Sequence, residues 1–254
     1  MRAAPVASVR RAMSTAQRRH QIVESAAMLF DAQGYGNTSM EDVALAVSIA
    51  KPTLYHYFRS KEEILRSIHE EFIQLLTEKY LQRVSTGAEP EELALGAMKD
   101  ILSLMVTHRG YVRVFFEHHR ELPPDAKRYV TAQRDAYESL VQSAIGAGQA
   151  RGHFTRNEDA KLVTFALFGM CNWAYQWFDV RGRYTADEIA ETYWRLLLNG
   201  IQPAVDRLYP AGCDVRQPEQ PERRPEPHAG QPVDLAIEQH VTCLIRIPNT
   251  RRRR

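Results

Sequence analysis

Residues 38–61 read TSMEDVALAVSIAKPTLYHYFRSK, and this stretch decides the fold. Its apolar residues recur at three- and four-residue steps and predict a short helix that begins after Thr38 and buries one face. A tight turn over residues 48–50 and a second short helix over about residues 51–58 follow it. Two helices of this size joined by about three residues predict a helix-turn-helix, a motif that sets its second helix in the major groove of DNA.

The second of these helices has two faces with different predicted roles. Leu54 and Phe58 are four residues apart, so they share a face and should anchor the helix to a core. Thr53, His56 and Tyr57 then project from the opposite face, where the edges of DNA bases would lie. The alternative, two ordinary core helices with aromatic packing, does not explain adjacent exposed aromatic residues beside lysines.

Four residues around the motif are predicted to contact the DNA backbone. Lys51, Tyr55 and Lys61 can reach phosphates on either side of the bases. The first turn of the preceding helix, at Thr38, offers free backbone N–H groups to another phosphate. Contacts of this kind fix the position of a protein on the duplex without reading its sequence.

The distribution of charge agrees with a DNA-binding N-terminal region. Residues 1–61 hold 8 Lys and Arg against 4 Asp and Glu, a net charge of +4, whereas residues 62–209 carry −4 and residues 210–254 carry +2. A basic front on an acidic body is expected when one end of a protein meets a polyanion. Ordinary surface variation gives the same asymmetry, so the motif, and not the charge, distinguishes the two interpretations.

The chain is predicted to be all-α, with about nine helices. From about residue 16 to residue 207 apolar residues recur at helical spacing, without the sustained alternation of a β-strand. Three pairs of residues fit a capping box, in which two side chains satisfy the free N–H groups of a first helical turn. These pairs are Thr38 with Glu41, Ser60 with Glu63, and Thr185 with Glu188.

The predicted organisation has four parts: a basic flexible arm (1–15), a helix-turn-helix DNA-binding domain (16–61), a ligand-binding and dimerisation domain (62–209) and a mostly disordered tail (210–254). Two interpretations of the arm stay open, contact with DNA phosphates or the minor groove, and a solvated extension with a general charge effect. The tail holds 7 of the 13 prolines and ends in four arginines. Such a composition buries too little apolar surface to fold.

The motif and its surroundings resemble the tetracycline-repressor (TetR) family of bacterial transcriptional regulators. The most specific match is TLYHYF over residues 53–58, followed by SKEE over residues 60–63. The further matching residues are Ala27, Phe30, Gly34, Tyr35, Thr38, Val43 and Ala44. The sequence departs from the family at Ser48, where glycine is usual and a positive φ angle is often required. It also departs at Ala50, where a Ser or Thr would cap the second helix.

The resemblance implies that residues 62–207 form a helical domain whose last two helices build a four-helix bundle with a second copy. The sequence supports a homodimer independently, because residues 162–178 are apolar nearly all round and need cover on more than one side. A fully intramolecular core is the alternative. In a homodimer, two recognition helices about 34 Å apart would match a palindromic operator in double-stranded DNA.

The effector is predicted to be a small hydrophobic molecule that binds between the body helices. The residues chosen as ligand contacts are large, apolar or adaptable: Met105, Phe115, Tyr137, Asn172 and Trp173. Such residues also form plain cores, which is the alternative for each of them. Residues 172–178 and 182–185 resemble a subgroup of the family that controls lipid, sterol or fatty-acid degradation. This second resemblance implies an acyl-CoA thioester as the effector, with arginines near the pocket mouth at its phosphates.

Together these expectations favour a repressor that a small hydrophobic ligand releases from its operator. The alternative is a ligand-independent architectural DNA-binding protein, which the basic ends favour and the large acidic body disfavours. In either case the partner is duplex DNA.

Other function classes fit the sequence poorly. It lacks a nucleophile elbow, a phosphate-binding glycine loop and a metal triad, so neither enzymatic activity nor a cofactor is expected. His118 and His119 are adjacent and would point about 100° apart on a helix, so a shared metal ion is not expected. Cys171 lies in an apolar helix and does not suggest a redox sensor. Because neither a signal peptide nor a membrane span is evident, a cytoplasmic protein without membrane contact is expected.

Overall fold

A computed structural model describes residues 13–154 and 157–201. Within this part of the chain there are nine α-helices, two short 3-10 helices (residues 119–121 and 174–176) and no β-strand, which confirms the all-α prediction. The helices are α1 (Thr15–Gln33), α2 (Met40–Ala46), α3 (Lys51–Tyr57), α4 (Lys61–Ser85), α5 (Pro90–Thr107), α6 (Arg109–Glu117), α7 (Pro124–Arg151), α8 (Ala160–Trp173) and α9 (Ala186–Ile201). The predictions of a disordered tail over residues 210–254, and of a flexible arm as far as residue 12, lie outside the described residues.

Side-chain caps fix where α4 and α9 begin. The Ser60 hydroxyl accepts a hydrogen bond from the backbone N–H of Glu63 at 3.3 Å. The Thr185 hydroxyl accepts one from the N–H of Glu188 at 3.2 Å, and the Glu188 carboxylate accepts one from the N–H of Thr185 at 2.8 Å. Both helix starts agree with the capping patterns predicted from the sequence.

The start of α2 differs from the prediction. Its cap is Ser39, whose hydroxyl accepts from the N–H of Asp42 while the Asp42 carboxylate accepts from the N–H of Ser39. Thr38 as the cap is therefore wrong. Its hydroxyl turns inward, donating to the carbonyl of Gly34 at 2.9 Å and accepting from the side-chain amide of Gln33 at 3.1 Å. Thr38 is buried and ties the end of α1 to the start of α2.

Helices α1, α2 and α3 share a core, and α2 and α3 form the predicted helix-turn-helix. Phe30 from α1, Val43 from α2 and Leu54 from α3 are all buried, as is Phe58 directly after α3. Each of the two helices of the motif is seven residues long. The sequence prediction of this motif is confirmed.

The turn between α2 and α3 contains an unfavourable backbone angle. Among residues 13–154 and 157–201, Ser48 is the one residue other than glycine with a positive φ, at +55°. In this left-handed region the Cβ of an L-residue crowds the backbone, which is why glycine is favoured there. The N–H of Ser48 donates to the carbonyl of Leu45 and the N–H of Ile49 to that of Ala44, both at 3.0 Å. The turn thus keeps a glycine-type geometry although it holds a serine.

The long helix α4 leads from the helix-turn-helix into the body of the fold. It buries Ile64 and Leu65 near its start and Leu76 and Tyr80 near its end. Helices α5, α6 and α7 pack against α4, α8 packs on α5 and α7, and α9 packs on α5. One continuous helix therefore contributes to both the DNA-binding motif and the body.

An ion pair with a buried carboxylate joins α4 to α5. The guanidinium of Arg83 donates to both carboxylate oxygens of Asp100, at 2.5 and 2.8 Å, and Lys79 Nζ lies 3.6 Å from the same carboxylate. Asp100 is buried, which is tolerable because its charge is paired and hydrogen-bonded. Gly96 makes room for the pair, since a Cβ there would lie 2.6 Å from Arg83 Nε.

The side chain of His69 on α4 is also polar and buried, but unlike Asp100 it has, within the described part of the chain, neither an ion pair nor a hydrogen bond to offset the loss of water. It is fully buried, and neither ring nitrogen has a hydrogen-bond partner among the described residues. Its ring centroid lies 5.2 Å from that of Phe115 and 5.8 Å from that of His119. Burial lowers the pKa of His69 to about 3, and the neighbouring His119 and His118 contribute to this shift. The folded protein therefore holds this imidazole in its neutral form.

Ser48→Gly should stabilise the protein by about 0.5–1 kcal/mol, because glycine adopts a positive φ without crowding from a Cβ atom. The matched control is Ser143→Gly, at an exposed position within α7, which should destabilise the helix by a similar amount. Urea unfolding followed by circular dichroism measures both changes. A loss of stability in both variants would contradict strain at Ser48.

The buried imidazole of His69 should make stability depend on pH. In the unfolded chain the residue binds a proton below a pKa of about 6.5, whereas in the folded protein it does so only below about 3. The unfolded state then binds more protons in this interval, so stability is lost as the pH falls through 6.5. Between about pH 7.5 and about pH 5.5 this residue should lower the free energy of unfolding by about 1.4 kcal/mol.

His69→Phe should remove this contribution, because phenylalanine fills a similar volume and does not titrate. The measurement is the free energy of unfolding in urea at the two pH values, for the parent and the variant. His153→Phe, at an exposed histidine, is the control and should keep the parent's pH dependence. The interpretation fails if the parent and His69→Phe lose the same stability on acidification.

Candidate nucleic-acid interface and ligand cavity

Helix α3 is positioned by two anchors on its inner face. Leu54 and Phe58 are both fully buried, which confirms them as the anchors predicted from the sequence. Ala50, at the N-terminus of the helix, offers no side-chain cap, and Pro52 in the first turn contributes its fixed φ angle instead. Packing against the core, and not a cap, therefore holds the start of α3.

The C-terminus of α3 is held by Arg19 of α1, a residue whose role the sequence analysis did not identify. Its guanidinium donates to the backbone carbonyl of Tyr57 at 2.7 Å and to the Ser67 hydroxyl at 3.1 Å. It also lies 3.9 Å from the centre of the Phe58 ring, a cation–π contact. A positive charge at a helix C-terminus is favourable. In the sequence Arg19 belongs to a cluster of N-terminal arginines, and nothing distinguishes it from the others.

The outer face of α3 presents Thr53, Tyr55 and His56, all exposed, and we call these three residues the recognition surface. Tyr57 is different, because it is half-buried and packs against the core. The fold thus makes Thr53 and His56 accessible, whereas only part of Tyr57 can reach a base. Contact of these residues with DNA stays a prediction.

Two of the four residues predicted to contact phosphates, Lys51 and Tyr55, have exposed side chains. Lys51 is exposed, and its ammonium pairs with the exposed carboxylate of Glu41 at 3.2 Å. Tyr55 is exposed and belongs to the recognition surface. Both remain available to a phosphate.

Lys61 and Thr38 also have contacts inside the protein, and their contact with phosphates stays a prediction. Lys61 Nζ donates to the carbonyls of Tyr35 and Thr38 at 2.7 and 2.8 Å and lies 4.2 Å from the centre of the Tyr35 ring. The ammonium has three N–H groups, so at most one is left for a phosphate. The Thr38 side chain is buried, and its N–H donates to the carbonyl of Tyr35. Both residues hold the loop between α1 and α2 in place.

A cavity of about 180 Å³ lies between the body helices. Five helices, α4 to α8, contribute to its wall, and the lining is mostly aromatic and aliphatic. Its lining residues are Phe72, Ile73, Leu76, Ile101, Phe115, Phe116, Arg134, Tyr137, Glu138, Phe165, Phe168 and Asn172. An apolar chamber with a few polar groups is the usual form of a site for a small hydrophobic ligand.

Three of the five predicted ligand contacts line this cavity, and two do not. Phe115, Tyr137 and Asn172 belong to its wall. Met105 is buried on α5 and lines a separate cleft of only about 10 Å³. Trp173 is 48% exposed. It follows Asn172 on α8, and successive residues of a helix point about 100° apart, so only one of this pair faces the chamber.

Arg134 and Glu138 of α7 are polar wall residues that the sequence analysis missed. Charged residues four apart on a helix are usually a solvated face, and the sequence carries no signal that this pair borders a cavity. Burial raises the pKa of Glu138, and the neighbouring Asp135 raises it further. The apolar wall from α4 was also missed, although Phe72, Ile73 and Leu76 follow helical spacing and could have been included.

Helix α6 borders the cavity and contacts α1. Phe115 and Phe116 near its C-terminus line the cavity. Near its N-terminus, Gly110 packs directly on α1, where an added Cβ would lie 2.9 Å from the backbone of Ala27. Arg113, between these points, pairs with Asp31 of α1 at 3.0 Å. A displacement of α6 by a ligand would therefore reach α1.

Within residues 13–154 and 157–201, no group of three or more His, Cys, Asp or Glu side chains is arranged to hold a metal ion. Cys171 is buried, which raises the pKa of its thiol to about 12 and leaves it unreactive. None of the helices in the described part combines the length and the apolar character that a membrane span requires.

Two protein-family descriptions match this chain, one over the helix-turn-helix region and one over the helices of the body. Residues 22–68 match the family described as "Bacterial regulatory proteins, tetR family". Residues 87–201 match "Tetracyclin repressor-like, C-terminal domain". The first match includes most of α1, both helices of the motif and the start of α4, and the second includes α5 to α9.

Individual relatives can be aligned with this chain over most of their own length. The TetR-family regulator PfmR from Thermus thermophilus is 31% identical with a TM-score of 0.66, over 72% of this chain and 99% of PfmR. AibR, solved in complex with isovaleryl coenzyme A and operator DNA, is 29% identical with a TM-score of 0.64, over 71% of this chain and 98% of AibR. The HTH-type transcriptional repressor KstR2 of Mycobacterium tuberculosis is 25% identical, over 72% of this chain and 92% of KstR2. This chain belongs to the TetR family of bacterial regulatory proteins.

Proposed function

We propose that the recognition surface on α3 reads the operator, with Thr53 and His56 at base edges. The observation that carries this proposal is an exposed face opposite two fully buried anchors, Leu54 and Phe58, on a seven-residue helix after a tight turn. A helix held in this way can enter the major groove without losing its structure. As a member of the TetR family, the chain is a ligand-responsive, DNA-binding transcriptional repressor.

Lys51 and Tyr55 are the side chains we assign to the DNA backbone. The pair of Lys51 with Glu41 joins two exposed groups, and such pairs contribute little stability. The ammonium can therefore exchange its carboxylate partner for a phosphate. We retain the division into a DNA-binding domain (16–61) and a ligand-binding and dimerisation domain (62–209).

The chain acts as a homodimer in this proposal, with α8 and α9 at the interface. Leu162, Phe165 and Trp173 lie on α8 at spacings of three and eight residues and are all exposed, and Leu196 on α9 is 61% exposed. Large apolar residues left uncovered on neighbouring helices are typical of a surface that meets a second copy. A twofold axis there would present two copies of α3 to the two halves of a palindromic operator.

The effector in this proposal is a small hydrophobic molecule that enters the cavity, with an acyl-CoA thioester as the candidate class. The apolar lining supports this assignment, since an acyl chain could be buried among the phenylalanines. The arginine at the wall, Arg134, offers a partner to an anionic head group. AibR, the relative solved with isovaleryl coenzyme A and operator DNA, supports the same class.

Release from DNA is proposed to pass through α6. A ligand that displaces Phe115 or Phe116 moves a helix that is in direct contact with α1 at Gly110 and paired with it at Arg113. The ligand shifts the equilibrium only if it binds the released form more tightly than the DNA-bound form.

A ligand-independent architectural protein, the alternative from the sequence, gives no role to the cavity or to the contacts of α6 with α1. The family and its relatives are transcriptional regulators. We therefore propose that the chain acts by binding alone, without catalysis, and that it works in the cytoplasm, where its operator is found.

His56→Ala and Thr53→Ala should each weaken binding to the operator by about 1–3 kcal/mol and affect nonspecific DNA much less, because base contacts carry the specificity. Lys51→Ala should weaken binding to all duplexes alike. It should also make the slope of log affinity against log salt concentration shallower by about one, which corresponds to one lost phosphate contact. Fluorescence anisotropy with the gene's own upstream region and a scrambled duplex, at several salt concentrations, separates the two effects.

The control for these variants is His153→Ala, at an exposed histidine far along the chain from α3. It should bind the operator as the parent does. Parental affinity in both His56→Ala and Thr53→Ala would remove α3 from the interface.

Gly110→Ala should weaken operator binding in the absence of ligand by about tenfold, or about 1.4 kcal/mol. The added Cβ would lie 2.9 Å from the Ala27 backbone, so α6 and α1 must move apart. Gly146→Ala on α7 is the matched control, because its Cβ would meet no described atom within 4 Å. It should leave operator binding unchanged. Circular dichroism confirms folding, and a folded Gly110→Ala variant with parental affinity would contradict the coupling.

A further inference from the structure

The size of the cavity restricts what it can hold. A volume of about 180 Å³ is close to that of an engineered protein cavity of about 150 Å³ that binds benzene. A group of about six to eight carbon atoms would therefore fill the chamber. A long fatty-acyl chain or a steroid nucleus has at least about twice as many carbon atoms, so part of it would have to lie outside this volume.

The wall of the cavity is built from interlocked aromatic rings. The ring centroids of Phe72 and Phe115 are 4.4 Å apart, and those of Phe115 and Phe116 are 5.3 Å apart in an edge-to-face arrangement. Behind this wall Tyr175 stacks on Phe116 at 4.9 Å, with an angle of 14° between the ring planes. Rings that are braced from behind have little freedom to turn away, so the chamber resists expansion.

The opposite wall is aromatic as well. Tyr137 and Phe168 have ring centroids 5.9 Å apart, and Phe165 also belongs to the lining. Aromatic rings attract one another in offset and edge-to-face arrangements beyond the gain from burial alone. A ligand with a flat ring can make such contacts on both sides, whereas a straight alkyl chain cannot.

The polar groups of the wall give the ligand a direction. The Arg134 side chain is 44% exposed and Phe165 is 45% exposed, so the cavity opens to solvent beside these two residues. Arg134 is the cation at this opening, and its present partner is the exposed carboxylate of Asp135, at 3.7 Å. Glu138, one helical turn further along α7, is half-buried. A ligand with an apolar end and an anionic end would therefore place its apolar end among the rings and its anionic end beside Arg134.

We propose that the effector carries a small aromatic acyl group of about six to eight carbon atoms, such as benzoyl or phenylacetyl, in the chamber, with its anionic CoA head directed past Arg134 to solvent. This inference rests on the proposed function and narrows its thioester class. It excludes long-chain fatty acyl and steroid thioesters as the effectors that release the protein from DNA.

The test measures release of the full-length protein from its operator by fluorescence anisotropy. The probes are free coenzyme A and its benzoyl, phenylacetyl, isovaleryl, octanoyl and palmitoyl thioesters. Benzoyl-CoA or phenylacetyl-CoA should release the operator at a concentration at least about tenfold lower than palmitoyl-CoA, and free coenzyme A should not release it.

Two substitutions at one position of the wall test the size of the chamber directly. Ile101→Ala enlarges the cavity and should shift the preference towards octanoyl-CoA. Ile101→Trp fills it and should abolish binding of the aromatic thioesters, measured directly by calorimetry with the DNA-free protein. The matched control is Leu102→Ala, because Leu102 is fully buried on the same helix but is not part of the cavity wall. It should keep the parent's order of preference.

The outcomes separate the two proposals. If palmitoyl-CoA releases the parent as well as the aromatic thioesters do, or if Ile101→Ala and Ile101→Trp keep the parent's preference, the size inference is wrong and the thioester class stands. If none of the thioesters releases the operator, the thioester class is wrong and this inference falls with it, whereas the assignment of α3 to the operator is unaffected.

Discussion

The attachment of α3 to the core through Leu54, Phe58 and Arg19 is the constraint on which the DNA-binding motif depends. A helix of seven residues is far too short to be stable by itself, so its geometry comes from its surroundings. Leu54 and Phe58 hold its inner face, and Arg19 binds the carbonyl of Tyr57 while its guanidinium covers the Phe58 ring. The position of the recognition surface follows from these three contacts, and α1 supports α3 from its inner side.

The body of the protein combines a rigid chamber with a direct mechanical connection to α1. The aromatic wall is braced by Tyr175, and the Arg83–Asp100 pair fixes α4 to α5. Against this stiff background α6 has close contacts at both ends, with the cavity and with α1. If the cavity is the proposed effector site, a ligand that fits poorly would meet resistance from the whole wall, and this would make a small chamber selective.

The sequence was sufficient for the fold and for the position of α3, because both depend on local patterns: the apolar spacing, the caps at Ser60 and Thr185, and the anchors Leu54 and Phe58. It also located the strained turn, since a serine in a glycine position is visible without coordinates. It was not sufficient for residues whose partners are distant in the chain. Lys61 contacts carbonyls 23 and 26 residues earlier, and Arg19 contacts one 38 residues later. Trp173 and Asn172 show the same limit, because apolar spacing along one helix does not determine which of two neighbouring residues faces a cavity.

The length of α6 has a consequence for the proposed route from the cavity to α1. Its nine residues make a rod of about 13 Å, at about 1.5 Å per residue. A single two- to three-turn helix has no joint at which a displacement could be absorbed, so its two ends must move as one body. The protein should then switch between two discrete arrangements, and intermediate ligand concentrations should change the proportion of molecules in each and not the degree to which any one molecule is opened.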